Sequence, residues 1–597
     1  MVQMSKDTLA LLKKYFGYDT FRPGQEQIVG QIMNGDNTLA IMPTGGGKSI
    51  CYQIPGLAMD GITVVISPLI SLMKDQVDAL KSLGITATYI NSSLTSEEQA
   101  SRLRALRRNE YKFVYVAPER FESNSFFHTI NQLPIALIAF DEAHCISQWG
   151  HDFRPSYRTV VQVVNQLNQR PILVGLTATA TVEVTQDLQQ LLDVRTETVV
   201  NTGFARQNLM FQIVKGHDRQ TYLLDYLKAH ASETGIIYAI TRKQVDLLYH
   251  LLEEKGYAVQ KYHAGMTEEA RKQAQNDFIY DNAQVMVATN AFGMGIDKSN
   301  VRYVVHYALP KNLESYYQEA GRAGRDGEPS QCVVLFSGQD INLQKYLIDQ
   351  SEMQDDKKHN EYKKLQAMIN YCHTEQCLQQ YILRYFNDVV SSSEPCGHCS
   401  NCDNEKELVD HTKEAQMVLS CVKRMDERFG ASLVAKVLKG SQDKKVKQFH
   451  FDRLTTYGLL KELTEKEVLS FIQFLVAEEY LVSKGGQFPV LQLGKRSKTV
   501  LKGEEKVYVQ VAKVKAQEDD HYDVDMFEQL RRLRKQLATD QAVPPYVIFS
   551  DKTLKEMSRV KPTTKYEMLE INGVGQRKYE QYGELFLKCF VELVEET

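Results

Sequence analysis

Three groups of residues in this chain have types and spacings that suit chemistry. The first is Pro43-Thr44-Gly45-Gly46-Gly47-Lys48-Ser49, which follows the β-rich run TLAIM and precedes an apolar-periodic stretch. A strand, a glycine-rich turn and a helix opening on Lys-Ser form the context of a phosphate-binding loop. The glycines let backbone N–H groups close around phosphates, Lys48 sets a point charge on the β/γ oxygens, and Ser49 is a Mg²⁺ ligand. Met42 stands where the general pattern has its first glycine. The pattern by itself would therefore also fit a flexible turn, and the strand and helix around it favour the phosphate. The second group is Asp141-Glu142, at the abrupt polar end of the apolar run IALIAF. A carboxylate at a strand's end is placed for Mg²⁺, and its neighbour for polarising an attacking water. An isolated Asp-Glu is more often a helix start, a reading that the phosphate loop upstream makes a poor one. The third group, Cys396-Gly397-His398-Cys399-Ser400-Asn401-Cys402, spaces three thiols as C-x₂-C-x₂-C. A closed zinc site needs a fourth ligand, and Cys372 and Cys377 both lie upstream. Iron–sulfur clusters also take four cysteines, so the spacing favours zinc without deciding it.

The elements that must position these groups belong to a large chain. At 597 residues it exceeds a single core and predicts about four domains. Apolar residues make up 43% and charged residues 24%, which excludes wholesale disorder. The net charge of −4 gives no overall field for nucleic acid, so any such binding must use local patches. No run approaches 18 apolar residues and the opening MVQMSKDTLALLKKYFGYD lacks a leader pattern. A cytoplasmic protein with no membrane partner is expected. Ten cysteines in such a length are not a disulfide scaffold.

From 1 to 205, short β-rich runs (TLAIM, ITVVISP, KFVYVAPE, IALIAFDE, ILVGLTAT) alternate with helical stretches, and from 206 to 340 the habit repeats. Strand then helix, repeated, predicts two tandem α/β domains with parallel sheets and a cleft between them. Residues 341–410 read as a helical module closing on the cysteine knot. Residues 411–517 read as short helices followed by EEYLVSKGGQFPVLQLG, two β-rich runs about a Gly-Gly turn, the order of a winged helix. Residues 518–597 read as a separate all-helical domain.

Longer motifs then resemble a known family. LTATA at 176–180 and QEAGRAGRDG at 318–327 look like superfamily 2 helicases. FGYDTFRPGQEQ at 16–27, SPLISLMKDQ at 67–76, CISQWGHDFRPSY at 145–157 and ATNAFGMGIDKSNVRYVVH at 288–306 resemble RecQ helicases more narrowly, over nearly the whole chain. The resemblance implies two RecA-like domains, a zinc-binding module, a winged helix and an HRDC-like domain. It implies ATP, Mg²⁺ and Zn²⁺, and selects Cys377 as the fourth zinc ligand. It also implies an adenine pocket in which Tyr18 stacks, Arg22 supports and Gln25 reads the base edge. Arg322 and Arg325 resemble arginine fingers, with the choice between them left open. Catalysis would thus fall to Lys48, Asp141, Glu142 and these arginines, and nucleotide binding to the loop 44–49.

The single tryptophan, Trp149, lies after His144 in a run with His151, Phe153 and Arg154. Aromatics beside a base suit stacking on single strands. Buried core is the common fate of such aromatics, but Gly150, Asp152 and Pro155 mark a loop. The resemblance implies that this loop senses DNA and, through His144, couples it to the ATP site. Thr177 and Thr179 are expected to touch backbone phosphates or couple the domains. Between 436 and 453, Lys436, Lys439, Lys444, Lys445, Lys447 and Arg453 face only Asp443 and Asp452, a phosphate-binding patch or a solvated helix face. Lys484-Gly485-Gly486-Gln487-Phe488 is read as a short wing. Arg531, Arg532, Arg534, Lys535, Tyr546 and the Gly573-Val574-Gly575 turn suit auxiliary strand binding, and a small helical bundle used for protein contacts is the equal alternative. The expected activity is ATP-dependent DNA unwinding with 3′-to-5′ travel, in recombination, repair, replication and the SOS response. Expected partners are single-stranded and duplex DNA, single-strand-binding protein and other repair proteins, at the nucleoid. A DEAH-type RNA-remodelling ATPase and a nucleotide-switched duplex-binding scaffold are the competing readings.

Overall fold

The apolar runs of the first 205 residues become parallel strands: β1 (Thr38–Ile41), β2 (Ile62–Ile66), β3 (Ala87–Ile90), β4 (Phe113–Val116), β5 (Ile135–Phe140), β6 (Ile172–Thr177) and β7 (Val199–Asn201). This computed structural model describes residues 6–150, 152–293, 298–388, 394–402, 406–512, 523–541, 543–571 and 573–595. The strand order is β3-β4-β2-β5-β6-β1-β7. Leu39, Val64, Val114, Ile138 and Val174 are all buried, as expected of strands with helices on both faces. Only β6 separates β1 from β5, and the strands run the same way. The phosphate loop after β1, the carboxylates after β5 and Thr177 at the end of β6 therefore open on one edge, where ligands of such sheets bind.

A second parallel sheet follows, from β8 (Leu209–Lys215), β9 (Thr234–Tyr238), β10 (Val259–Tyr262), β11 (Val285–Ala288), β12 (Val301–His306) and β13 (Ser330–Phe336), in the order β10-β11-β9-β12-β13-β8. The connection between the sheets is packed. Phe204 stacks on Phe386 at 4.7 Å, and one continuous buried cluster runs from Leu39 and Phe140 through Phe204 and Tyr316 to Tyr371 and Cys399. The two α/β units and the cysteine module thus share a core.

The helices Gly338–Asp349, Asp355–His373 and Leu378–Tyr385 lead to the cysteine knot. Beyond it, β14 (Lys406–Asp410) pairs antiparallel with β17 (Tyr508–Ala512), joining the two ends of the next unit. Within that unit, the helices Thr412–Arg424, Ala431–Lys439 and Glu465–Ala477 precede β15 (Leu481–Lys484) and β16 (Val490–Leu493), an antiparallel hairpin. Lys484 pairs with Val490, and Gly485 at φ 112° takes the turn, a conformation few side chains tolerate. Phe488 near the tip is 82% exposed.

The C-terminal unit is a helical bundle with its own core of Phe527, Leu530, Phe549, Leu554, Met557 and Phe586. Its basic first helix, Val524–Gln541, departs from expectation. Arg531 donates to the Ser232 carbonyl at 2.9 Å and Lys535 to the Asp281 carbonyl at 2.8 Å. Arg534 is fully buried between Asp551 (2.8 Å) and Asp281 (3.8 Å). Tyr546 packs against the shared core of the helicase units. Of the four basic residues, only Arg532 faces solvent; the others are drawn onto acidic and carbonyl groups of the second α/β unit.

Candidate functional site

The phosphate loop is shaped by glycine at two places. A Cβ on Gly46 would sit 2.9 Å from the Pro43 carbonyl oxygen, and one on Gly47, at φ 80°, 2.4 Å from the Gln25 amide. Gly47 caps the helix Lys48–Ala58. Lys48 lies half-buried with Nζ 3.4 Å from the Met42 carbonyl. Burial lowers its pKa, while Glu142 and Asp141 act to keep it charged. Thr44, Gly45, Gly47 and Ser49 line the same cleft.

On the neighbouring strand the chain turns sharply after Phe140. The Asp141 amide still donates to Ile66 at 2.9 Å, and Glu142 takes a left-handed conformation, φ 49°, ψ 49°. Such a backbone costs about 1–3 kcal/mol for a residue other than glycine. It aims both carboxylates into the cleft. Burial first, and the neighbouring Glu142 second, push the Asp141 carboxyl up to about 7 against the pull of Lys48. Two carboxylates facing one ammonium leave anionic charge to be neutralised, so the donor set fits a divalent cation. Glu142 Oε2 is buried and accepts no hydrogen bond; the His144 ring lies 3.4 Å from it.

His144 is buried and its pKa is pushed down to about 4 by desolvation, so it is neutral at physiological pH. Its Nδ1 lies 3.0 Å from the Thr177 hydroxyl, which itself donates to the Thr179 carbonyl at 3.1 Å. That hydroxyl has one proton, so the hydrogen-bond network assigns the proton to His144 Nδ1. Thr177 and Thr179 are buried beneath the cleft. They join His144 to β6, and their burial fits the coupling role expected of them better than the alternative, a contact with backbone phosphates.

The opposite wall comes from the second α/β unit. Gln318, Arg322 and Arg325 face the loop across a cleft of about 260 Å³. Arg322 is buried and donates to the Gly293 carbonyl of its own unit. Arg325 lies against the loop: its Cα would be 3.6 Å from a Cβ on Gly45, and its charge depresses the Lys48 pKa. Sequence reasoning missed Arg206. This side chain bonds the Thr44 carbonyl at 2.7 Å and the Gly324 carbonyl at 2.7 Å, bridging the phosphate loop to the arginine loop. The only signal was an arginine placed between two α/β repeats.

The expected adenine pocket differs in one respect. Tyr18 is half-exposed and Arg22 donates to the Gly45 carbonyl at 2.7 Å. Gln25 is buried, with Nε2 donating to Gly46 (3.3 Å) and Gly47 (3.1 Å) and Oε1 accepting from the Arg22 amide. Both donors of the amide are spent on the phosphate loop, so Gln25 clamps the loop here and does not present a free edge.

The aromatic run forms a loop, with Trp149 47% exposed. Its backbone carbonyl accepts from Lys364 at 3.1 Å, and Lys357 lies over the Phe153 ring at 5.4 Å, both from the helix Asp355–His373. Arg154 is tied to Asp152 and to the Pro68 carbonyl. His151 lies outside the described residues.

The four sulfurs of Cys377, Cys396, Cys399 and Cys402 lie within 4.8 Å of one another. Separations of 3.4 Å (399–402), 3.9 Å (396–402) and 4.0 Å (377–399) surround the spacing of about 3.8 Å set by a tetrahedron of Zn–S bonds near 2.3 Å. The amides of Leu378 and Cys396 donate to the sulfurs of Cys399 and Cys377, each at 3.3 Å, as outer-shell support for thiolates. Cys372 is buried among hydrophobic side chains and belongs to the core.

Comparison with known proteins covers the whole chain. Family models match a DEAD/DEAH box helicase over 22–188, a helicase conserved C-terminal domain over 218–327, RecQ zinc-binding over 338–403, an RQC domain over 405–518 and an HRDC domain over 523–590. The chain is 49% identical over 580 residues, 97% of each protein, to the ATP-dependent DNA helicase RecQ of Bacillus subtilis. It is 40% identical to that of Haemophilus influenzae, over 98% of this chain and 96% of the relative. To the RecQ-like DNA helicase BLM of Xenopus laevis it is 32% identical, over 97% of this chain and 46% of the relative. With the phosphate loop, the carboxylates, the facing arginines and the four-cysteine cage on one such framework, the chain belongs to the RecQ helicase family.

Proposed function

We propose that this protein is an ATP-dependent DNA helicase that travels 3′ to 5′ on single-stranded DNA and separates duplex ahead of it. The observation that carries the reading is the cleft itself: Lys48, Asp141 and Glu142 of the first α/β unit line one wall and Arg325 of the second lines the other, so a nucleotide between them would touch both units. Unwinding of duplexes tailed on either end, with ATP, tests it. Separation of the 3′-tailed substrate alone is expected. Equal unwinding of both would overturn the polarity. Activity on RNA alone would point to a remodelling ATPase, and nucleotide-dependent binding without unwinding to a switched scaffold.

In this reading Lys48 and the loop amides hold the β/γ-phosphates, and Ser49 and Asp141 would hold Mg²⁺, which would supply charge neutralisation. Glu142 takes a proton from the attacking water as ADP and phosphate form. Arg325 is the finger, and Arg322, bonded within its own unit, positions the loop that carries it. Such an arginine is worth about 10³–10⁵ in rate. Tyr18 and Arg22 hold the adenine, with Gln25 reporting its arrival to the phosphate loop. Trp149, Phe153 and Arg154, with His151, bind the single strand, and His144 links them to Glu142. Because stacking holds a base-pair step by about 1.4 kcal/mol, one pair opens thermally and cleft closure on ATP biases the direction.

Along the chain, we assign 1–205 and 206–340 to the motor, 341–410 to the structural zinc module, 411–517 to duplex binding and 518–597 to an auxiliary role. No described helix is long and apolar enough to cross a membrane. A cytoplasmic, nucleoid-associated protein meeting single-strand-binding protein and other repair proteins fits an enzyme of this activity.

A further inference from the structure

Between the helix Asp355–His373 and the hairpin β15–β16 lies a cleft of about 220 Å³. Lys345 and Lys363 line it, with Gln366, Ser483 and the turn Gly485-Gly486, and no acidic residue does. Lys345 is half-buried, and the one carboxylate whose charge acts on its ammonium is Asp349, four residues on along the helix Gly338–Asp349. Asp349 is shared, because it also accepts the Tyr362 hydroxyl. The backbone N–H groups of Gly485 and Gly486 have no acceptor among the described residues. Burying a cation beside unspent donors is costly unless an anion arrives.

From these donors we infer that the cleft is a phosphate-binding subsite, gripped by Lys345, Lys363 and the wing turn. The inference rests on the DNA-helicase reading for its most natural ligand, a phosphodiester of the duplex backbone; a free phosphate offers the same chemistry. Its position adds a consequence. The helix Asp355–His373 presents Tyr362 and Gln366 to the cleft, and Lys357 and Lys364 to the aromatic loop that follows the catalytic carboxylates. A phosphate held there would fix the duplex one helix away from the loop that follows ATP.

The test uses the full chain. Binding of a short blunt duplex is measured against salt for wild type and for Lys345→Gln, with melting of both followed because the change also removes the attraction to Asp349. Each phosphate contact contributes about 0.9 to the slope of log K against log salt. A slope shallower by about that amount supports the subsite; an unchanged slope and affinity overturn it. In parallel, Lys345 is acylated with an amine-reactive ester and read by mass spectrometry. Protection by the duplex supports the backbone as ligand, protection by inorganic phosphate alone assigns a free-anion site, and protection by neither overturns the proposal. If the wild-type chain bound no duplex at all, the helicase reading would fail while the phosphate arm still judged the cleft.

Discussion

Asp141 and Glu142 share one lysine, and the consequence is measurable as protons. The Asp141 carboxyl moves from 3.8 to about 7 on folding, so the folded chain holds its proton more tightly than the unfolded one. This group therefore costs stability as pH rises from about 4 to 7. Binding of Mg²⁺ with nucleotide should expel about half a proton at pH 7 and weaken as pH falls below that. Calorimetry in buffers of different ionisation enthalpy reads the release, and none at pH 7 would contradict the raised pKa. Glu142→Gln keeps the shape of the strained turn but removes the base. Nucleotide binding should persist while turnover falls at least about 10²-fold; near-wild-type turnover would assign the base elsewhere. Trp149, half-exposed, separates packing from coupling. Its change to Ala should shift stability by no more than about 0.5 kcal/mol, yet leave ATPase poorly stimulated at saturating single strand. Normal stimulation there would remove Trp149 from the mechanism.

Elements explain what the sequence could and could not announce. The phosphate loop and the carboxylates were legible because each is local: a few consecutive residues ending a strand whose apolar run is continuous. The parallel sheets were legible for the same reason. The use of Gln25 was not, because an amide's partners depend on carbonyls more than twenty residues away that only the fold brings near. The burial of Thr177 and Thr179 was equally hidden, since short hydroxyl residues at a strand end serve surface and interior alike. The cysteine cage stands between these cases: three ligands are local, and the fourth arrives at the N-terminus of the helix Leu378–Tyr385. Cys399 is buried and its sulfur lies near two of the others. Cys399→Ser should release zinc and, because ligation supplies about 10–16 kcal/mol in small zinc modules, destabilise residues 341–410 while nucleotide still binds the first sheet. One zinc per chain by elemental analysis in both proteins would refute that.

At the scale of the molecule, the least expected feature is the docking of the C-terminal bundle. Basic residues on an exposed helix invite a nucleic-acid reading, and nothing local distinguishes them from residues that meet a carboxylate of another domain. Here Asp281, at the turn after the helix Glu268–Ile279, is paired with buried Lys298 of its own unit and lies 3.8 Å from buried Arg534 of the bundle. These cations pull its carboxyl down to about 2 despite burial, so it stays ionised at any physiological pH. Lys535 adds a bond to a backbone carbonyl at the rim, whereas Arg531 bonds the Ser232 carbonyl, pairs with Glu528 and adds its charge to those acting on Asp281. The two kinds of contact should therefore respond differently. Asp281→Ala leaves Lys298 without its carboxylate and Arg534 with Asp551 alone, and breaking a buried pair in this way costs about 3–5 kcal/mol. Melting of the second α/β unit should fall accordingly, and amide exchange should rise together around 228–234 and 524–541 as the bundle leaves. Lys535→Ala should cost about 1 kcal/mol or less and raise exchange only locally. Equal, small effects from both variants would mean that the bundle is held by its rim and not by the buried charges.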